Sequence, residues 1–244
     1  MLKNLLTQWY GSNKKIRTEF FTDTDNEFTG ENTMSFIIQP FIVGALFTNC
    51  YIVACTNTKK AAIIDPGTLE SHEIIEFIKK ENLDIAYIIN THGHADHTAG
   101  NTFIKKAFPD SKLLIHPTDN KMLRDPLRNL SQFYGHTIVS PMADRLINED
   151  DIIEVGDLKL KVIHTPGHTQ GSISLVMNES HIFSGDTLFA QSIGRTDLPG
   201  GYYPDIISSV KNKLFNYADS CNVYPGHGEN TTIGREKQSN PYVK

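Results

Sequence analysis

Thr91-His-Gly-His-Ala-Asp-His-Thr98 places three histidines and an aspartate within six residues, directly after an apolar run ending at Asn90. No other feature constrains the fold as tightly. Leu83 to Asn90 reads as a buried strand, short, apolar and without helical spacing. In the extended chain that follows, side chains two apart point the same way, so His92 and His94 can grip one point. Asp96 and His97 come as the chain turns towards the next helix and can aim at a second point nearby. Imidazole and carboxylate are donors that borderline divalent metals such as zinc prefer. A solvated polar loop would account for one such residue, not for four.

The pattern recurs. Thr165-Pro-Gly-His168 follows the strand Leu158–His164, Ser184-Gly-Asp186 follows His181–Ser184, and Tyr224-Pro-Gly-His227 follows Cys221–Tyr224. Each puts one ligand-type residue at the C-terminal end of a strand, beside a glycine that lets the backbone approach closely. The other histidines read as bystanders: His164 ends a strand, His116 begins a loop, and His72, His136 and His181 sit in polar, surface-like surroundings.

Between these motifs, strands and helices alternate. Cys50–Cys55 and Lys60–Asp65 read as a hairpin around Thr56-Asn57-Thr58. Glu70–Asn82 carries Ile74, Ile75, Phe77 and Ile78 at helical spacing, and Asn101–Phe108 is a short helix stopped by Pro109. Lys112–His116 is a strand and Asn120–Leu123 a helical turn. The second half is richer in strands, adding Ile152–Val155 and Ile173–Met177, and then a helix over Tyr203–Tyr217. With no repeat or linker between the halves, one α/β domain of packed sheets covered by helices is expected over residues 34–244. Residues 1–33 lack periodicity and read as an N-terminal extension. Within them, residues 1–18 hold Lys3, Lys14, Lys15 and Arg17 and no acid, the weak outline of a targeting segment.

Charge and cysteine usage narrow the partners. Lys and Arg number 23 against 28 Asp and Glu, a net charge of −5, whereas a nucleic-acid surface needs clustered basic charge. The longest apolar runs are strand-sized, so no membrane span is expected. Cys50, Cys55 and Cys221 form neither a disulfide framework nor a Cys-rich zinc site, and so low a count suits a reducing, cytoplasmic location.

Taken in order, His-Gly-His-Ala-Asp-His, Thr-Pro-Gly-His, Gly-Asp-Thr and Pro-Gly-His resemble the motifs of the metallo-β-lactamase superfamily of hydrolases. Ile63-Ile-Asp-Pro-Gly67, Gly194-Arg-Thr-Asp197 and Ile233-Gly-Arg-Glu236 extend the similarity to its glyoxalase II-like branch, in particular the short single-domain members. The resemblance runs from about Phe41 to Lys244. It implies a four-layer αββα sandwich, two mixed β-sheets flanked by helices, with metals at one edge. It also implies that His92, His94 and His168 hold one metal, that Asp96, His97 and His227 hold a second, and that Asp186 bridges both. Asp96 and Asp186 are thereby the expected catalytic carboxylates. The cofactors would be two divalent ions, zinc first, with iron or manganese accepted by the same donors. Asp65 would orient a ligand histidine, or else cap its own turn.

The implied chemistry is hydrolysis by a hydroxide shared between two metals about 3.5–4 Å apart. A substrate carbonyl leaning on one metal is stabilised as charge develops on its oxygen. A thiolate leaves with little acid assistance, so a small-molecule thioester suits the site, and the branch implies S-lactoylglutathione giving lactate and glutathione. Arg195 matches a basic position that the family uses near the glutathione carboxylate; an Arg195–Asp197 ion pair holding the loop is the other role open to it. Two departures loosen the substrate. Seventeen residues follow His227, where full-length glyoxalase II enzymes carry a helical domain, and Thr196 and Asp197 replace an expected aromatic. Another ester or lactone is therefore an alternative substrate. A mononuclear iron persulfide dioxygenase shares the fold and Gly-Arg-Thr-Asp, but its second-site residues bind no metal. A β-lactamase uses the same metals on a cyclic amide. A binding module that had lost its chemistry would show gaps among the ligands, and this chain has none.

Overall fold

The computed structural model describes residues 19–22 and 35–244. Seven strands pair in chain order to form the first sheet: β1 (Glu19–Thr22), β2 (Ser35–Val43), β3 (Thr48–Cys55), β4 (Lys60–Ile64), β5 (Asp84–Ile89), β6 (Lys112–Ile115) and β7 (Arg145–Leu146). Pairing is antiparallel from β1 to β4 and parallel from β4 to β7. The chain then forms β8 (Ile152–Val155), β9 (Leu158–His164), β10 (Ile173–Met177), β11 (His181–Gly185), the ribbon β12 (Leu188–Phe189) with β13 (Ser192–Ile193), β14 (Asn222–Pro225) and β15 (Thr231–Thr232). The second sheet runs β15-β14-β11-β10-β9-β8, with β11 and β14 its parallel pair.

The sequence dictates two covered faces for the first sheet. Every residue of β3 is buried, and its side chains alternate between two cores. Tyr51, Val53 and Cys55 enter the core between the sheets, where they meet Leu158, Leu160, Val162 and Phe183. Cys50, Ile52 and Ala54 turn outward to Ile74 and Ile78 of helix α1 (His72–Lys80). Two short helices follow, α2 (Ala95–Thr98) and α3 (Asn101–Ala107), and Ile104 of α3 joins that outer core. On the far side, Val176, Ile182 and Val223 pack against Ile206 and Val210 of α4 (Tyr203–Asn212) and Ile233 of α5 (Ile233–Ser239). Fully burying an aliphatic or aromatic side chain of this kind contributes about 1.5–3 kcal/mol. The layers therefore run helix, sheet, sheet, helix, the αββα sandwich that the motifs imply. β8 shows the contrast of an edge strand, with Ile153 and Val155 buried while Ile152 and Glu154 are exposed.

Three readings change. The helix expected to reach Tyr217 stops at Asn212; Lys213 leaves helical geometry and a short 3₁₀ turn covers Leu214–Asn216. Asn212 and Asn216 are weak helix formers, and the Lys213 ammonium is held by the His164 carbonyl and Glu149. His181, expected at the surface, is buried, edge-on to Phe36 and stacked on Tyr224. Glu19–Thr22, inside the expected extension, pairs with β2 as strand β1. The rest of that segment, including residues 1–18 read for targeting, lies outside the described residues. Among the described residues no helix is long and apolar enough to cross a membrane.

The sheets are tied together at one edge. Asn49 donates its backbone N–H to the Gly226 carbonyl (2.7 Å) and its side-chain amide to the carbonyls of Pro225 (3.0 Å) and Gly228 (2.9 Å). The Tyr51 hydroxyl donates to the same Pro225 carbonyl at 2.8 Å. The C-terminal ends of β4, β5, β6, β9, β11 and β14 meet at this edge, and the loops leaving them carry Asp65, His92 to His97, Asp119, His168, Asp186 and His227.

Candidate metal centre

After β5 the chain bends at Thr91 and His92, is extended at His94 (φ −68°, ψ 150°) and then enters α2, so Asp96 and His97 occupy a first helical turn. That change of backbone splits the contiguous motif into two pairs. His92 Nε2 lies 3.1 Å from His94 Nδ1, and His94 Nδ1 lies 2.9 Å from His168 Nε2. In the second set, Asp96 Oδ2 is 3.6 Å from His97 Nε2 and 3.2 Å from His227 Nε2, and the two imidazole nitrogens are 3.3 Å apart. Asp186 spans the sets. Its Oδ2 is 3.4 Å from His168 Nε2 and 3.6 Å from His227 Nε2, and its Oδ1 is 3.4 Å from His97 Nε2. All seven predicted donors converge.

These spacings fit divalent metal ions. Donors on a tetrahedron with bonds of about 2.0–2.1 Å stand about 3.3 Å from one another. Imidazole nitrogens facing one another this closely must share a proton or a cation. Asp186 Oδ1 is buried with no hydrogen-bond partner, and so is His94 Nε2. A buried carboxylate oxygen in that position needs a compensating cation.

Outer contacts fix which nitrogen His92, His97 and His168 present. Asp65, in left-handed backbone (φ 52°), is 2.9 Å from His97 Nδ1 through Oδ2 and accepts the Thr91 N–H (2.8 Å) and hydroxyl (2.6 Å). Its carboxylate thus reaches across to the ligand loop, the first of the two roles weighed for it. With its proton given to Asp65, the Thr91 oxygen accepts from His92 Nδ1 at 3.1 Å, which leaves Nε2 facing inward. His168 Nδ1 donates to the Arg195 carbonyl at 2.8 Å with the same effect. Close approach also needs glycine: a Cβ at Gly226 would lie 2.2 Å from Asp186 Oδ1, and one at Gly67 only 1.7 Å from the Asp96 carbonyl oxygen.

The two sets differ electrically. Burial, reinforced by the surrounding imidazoles, holds His92 well below its ordinary value, and burial with His168 holds His94 at about 3. Burial also pulls on His97, but Asp186, Asp96 and Asp65 outweigh it and lift that imidazole to about 10. His227 is raised in the same way, against burial, by Asp186 and Asp96. Burial would raise the Asp96 carboxyl, yet His97 and His227 draw it well below the usual carboxylate range.

A cleft of about 390 Å³ opens over the donors, walled by Leu46, Leu130, Phe189, Ile193 and Leu198, with Arg195 at its mouth. An apolar hollow of about 350 Å³, lined by Ala45, Leu69, Ala95, Ala99 and Ile138, shares Leu46 and Asp96 with it. A larger groove near Glu149, Lys161 and Tyr217 contains none of the donors. The Arg195 guanidinium makes a two-pronged ion pair with Asp197 (2.7 and 2.8 Å), whose carboxyl these hydrogen bonds hold at about 2. Sequence reasoning missed the Arg195 carbonyl and the Thr91 hydroxyl as supports, because backbone acceptors and an ordinary threonine leave no signature. His116 and His164 stack on one another (centroids 4.2 Å apart, 7° between planes) outside the cluster, and His72 and His136 are exposed.

The metallo-beta-lactamase superfamily model matches residues 43–227 of the chain. The chain belongs to the metallo-beta-lactamase superfamily. Hydroxyacylglutathione hydrolase GloC of Haemophilus influenzae is 36% identical to this superfamily member over 209 residues, covering 84% of this chain and 97% of that one. The crystal structure of BLEG-1 B3 metallo-beta-lactamase superposes with a TM-score of 0.79 at 35% identity, covering 84% and 99%. A di-iron-bound form of TTHA1623 does so with a TM-score of 0.73 at 31% identity, covering 83% and 98%. As a metallo-hydrolase superfamily chain, this one carries a His/Asp cluster suited to divalent metals.

Proposed function

We propose that this chain is a two-metal hydrolase of thioesters, with S-lactoylglutathione as the reference substrate. The observation that carries the reading is Asp186, whose carboxylate reaches both donor sets, with Oδ2 near His168 and His227 and Oδ1 near His97. His92, His94 and His168 would hold one ion and Asp96, His97 and His227 the other. Zinc comes first on donor chemistry, while iron, present in TTHA1623, and manganese suit the same ligands. Bound there, the ions supply Lewis acidity and an activated water at neutral pH.

The chain's own groups do the rest. Asp65 and the Arg195 carbonyl keep His97 and His168 aimed inward. Leu46, Phe189 and Ile193 shield the donors from bulk water and so strengthen every charge interaction in the cleft. The apolar hollow beside Asp96 gives the acyl group a place, and the mouth at Arg195 suits an acidic thiol carrier. A thiol of ordinary pKa, about 8.5, departs as thiolate and asks no proton of the protein. The similarity to GloC supports this substrate class.

The similarity to BLEG-1 favours β-lactam hydrolysis as a second reading. Metal analysis of the purified protein, run beside a thioester panel containing S-lactoylglutathione and a β-lactam, separates the two. Two equivalents of metal with thioester turnover is the expected result. Turnover of the β-lactam alone, or one iron with oxygen consumption on a persulfide, overturns it.

A further inference from the structure

Asp119 is a buried carboxylate, 2% exposed, on the loop that leaves β6, and it is not one of the seven donors. Its oxygens reach into two other loops. Oδ2 accepts the Gly93 N–H at 3.0 Å and the Thr169 hydroxyl at 2.7 Å, and Oδ1 accepts the Gly171 N–H at 2.9 Å. Gly93 stands between His92 and His94, and Thr169 follows His168. One carboxylate therefore ties the loop carrying two of the three-histidine donors to the loop carrying the third. The fit is close, since a Cβ at Gly171 would lie 2.5 Å from Asp119 Oδ1.

We infer that Asp119 is a positioning residue that sets the distance between His168 and the His92–His94 pair, and so governs metal affinity at that set alone. The loops come from different sheets; a backbone hydrogen bond from the Ile173 N–H to the Thr91 carbonyl (2.9 Å) joins their bases, while Asp119 reaches the residues beside His94 and His168, whose Nδ1 and Nε2 stand 2.9 Å apart. A carboxylate is required because it accepts at both oxygens. An amide of the same shape must turn its NH₂ towards the Gly93 or the Gly171 N–H, which breaks one arm of the bracket. In the other set His97 takes its outer support from Asp65, on another strand end, and Asp65 braces the three-histidine set only indirectly, through Thr91 and His92. The inference rests on the two-metal reading of the site.

The test is cobalt(II) titration of the full chain, following stoichiometry and the visible spectrum, for the wild type, Asp119→Asn and Asp65→Asn. Asp119→Asn is expected to keep one equivalent at wild-type affinity and to bind the other about 10–100-fold more weakly. Asp65→Asn is expected to weaken the complementary equivalent. Two wild-type equivalents in Asp119→Asn overturn the inference, as does equal weakening of both, which would mark general loosening. Should Asp119→Asn not fold, Thr169→Val removes a single arm: a weaker three-histidine equivalent supports the bracket, and an unchanged one overturns it. A wild type that takes up fewer than two equivalents overturns the two-metal reading, and this inference with it, before any variant is considered.

Discussion

The two donor sets sit within a few ångströms of one another and differ by one ligand, Asp96 in place of a third histidine, yet their surroundings push them in opposite directions. Around His92, His94 and His168 the neighbours are mainly other imidazoles and low-polarity walls, and protons are expelled from His92 and His94. Around His97 and His227 the neighbours are carboxylates, which lift both imidazoles above their ordinary value, His97 to about 10. His92 and His94 are thus ready ligands while His97 holds a proton, and the difference comes from where Asp65, Asp96 and Asp186 stand. Carboxylate placement, Asp96 as a ligand included, distinguishes the halves.

The strongest way to break this contrast is Asp186→Ala, since that carboxylate belongs to both sets. Both equivalents of metal are expected to be lost together and thioester turnover to fall more than about 100-fold, beyond the range of outer contacts. Retention of one equivalent, read by metal analysis, would place Asp186 in a single set. Asp65→Asn comes next and sharpens the contrast. About 10–100-fold weaker binding is expected at the Asp96, His97 and His227 set, with a smaller loss at the other, which Asp65 reaches only through Thr91 and His92, in a competition assay with a chelator.

A third measurement uses pH. In the metal-free protein His97 keeps its proton to about pH 10, whereas an unfolded imidazole releases it near 6.5. The stabilisation from this group is complete below about pH 6.5 and is lost as pH rises towards 10. His94, held at about 3, acts in the opposite sense: stability falls as pH drops from about 6.5 towards 3. Metal uptake beside His97 must displace a proton, so it tightens as pH rises from neutral towards 10; at neutral pH His92 and His94 have none to displace. Calorimetry in two buffers of different ionisation enthalpy is expected to show proton release with one equivalent only. Equal release with both would erase the contrast.

The smallest effect lies outside both sets. Asp197→Asn breaks an exposed pair, so the thermal midpoint is expected to hold. KM for an acidic thioester is expected to fall by at most about fivefold as the Arg195 guanidinium loses the competing Asp197 carboxylate. A rise in KM would mean that the pair itself shapes the mouth.

Much of this arrangement is legible in the sequence because its decisive residues sit at strand ends marked by glycine. The motif from His92 to His97, together with His168, Asp186 and His227, could be read without coordinates, and so could Asp65 as a neighbour. Strand β2 was harder: its run from Ser35 to Val43 is interrupted by Pro40, which pairs with Tyr51 within the ladder. Helix α5 is only seven residues long, and its buried Glu236 gains three hydrogen bonds, from Thr231, Gln191 and Asn240, that no periodicity announces. The ribbon of β12 and β13 has two residues per strand, too few for any alternation to show. Asp119 was silent for another reason, since its partners are two backbone amides and a threonine far along the chain. Strand periodicity reports which face is buried; it carries no record of which distant loop a carboxylate will hold.

The Pro225 carbonyl, shared by Asn49 and Tyr51, has a consequence for the order of events during synthesis. The two partners are 176 and 174 residues away along the chain, so the final ligand loop is fastened to a segment made long before it. A growing polypeptide can assemble the central hairpins and present its first histidines early, but it has no finished cage until the segment carrying Pro225 and His227 has left the ribosome and docked. Tight ion capture is then a signal of completed folding, and a chain truncated before His227 would leave the ribosome without it.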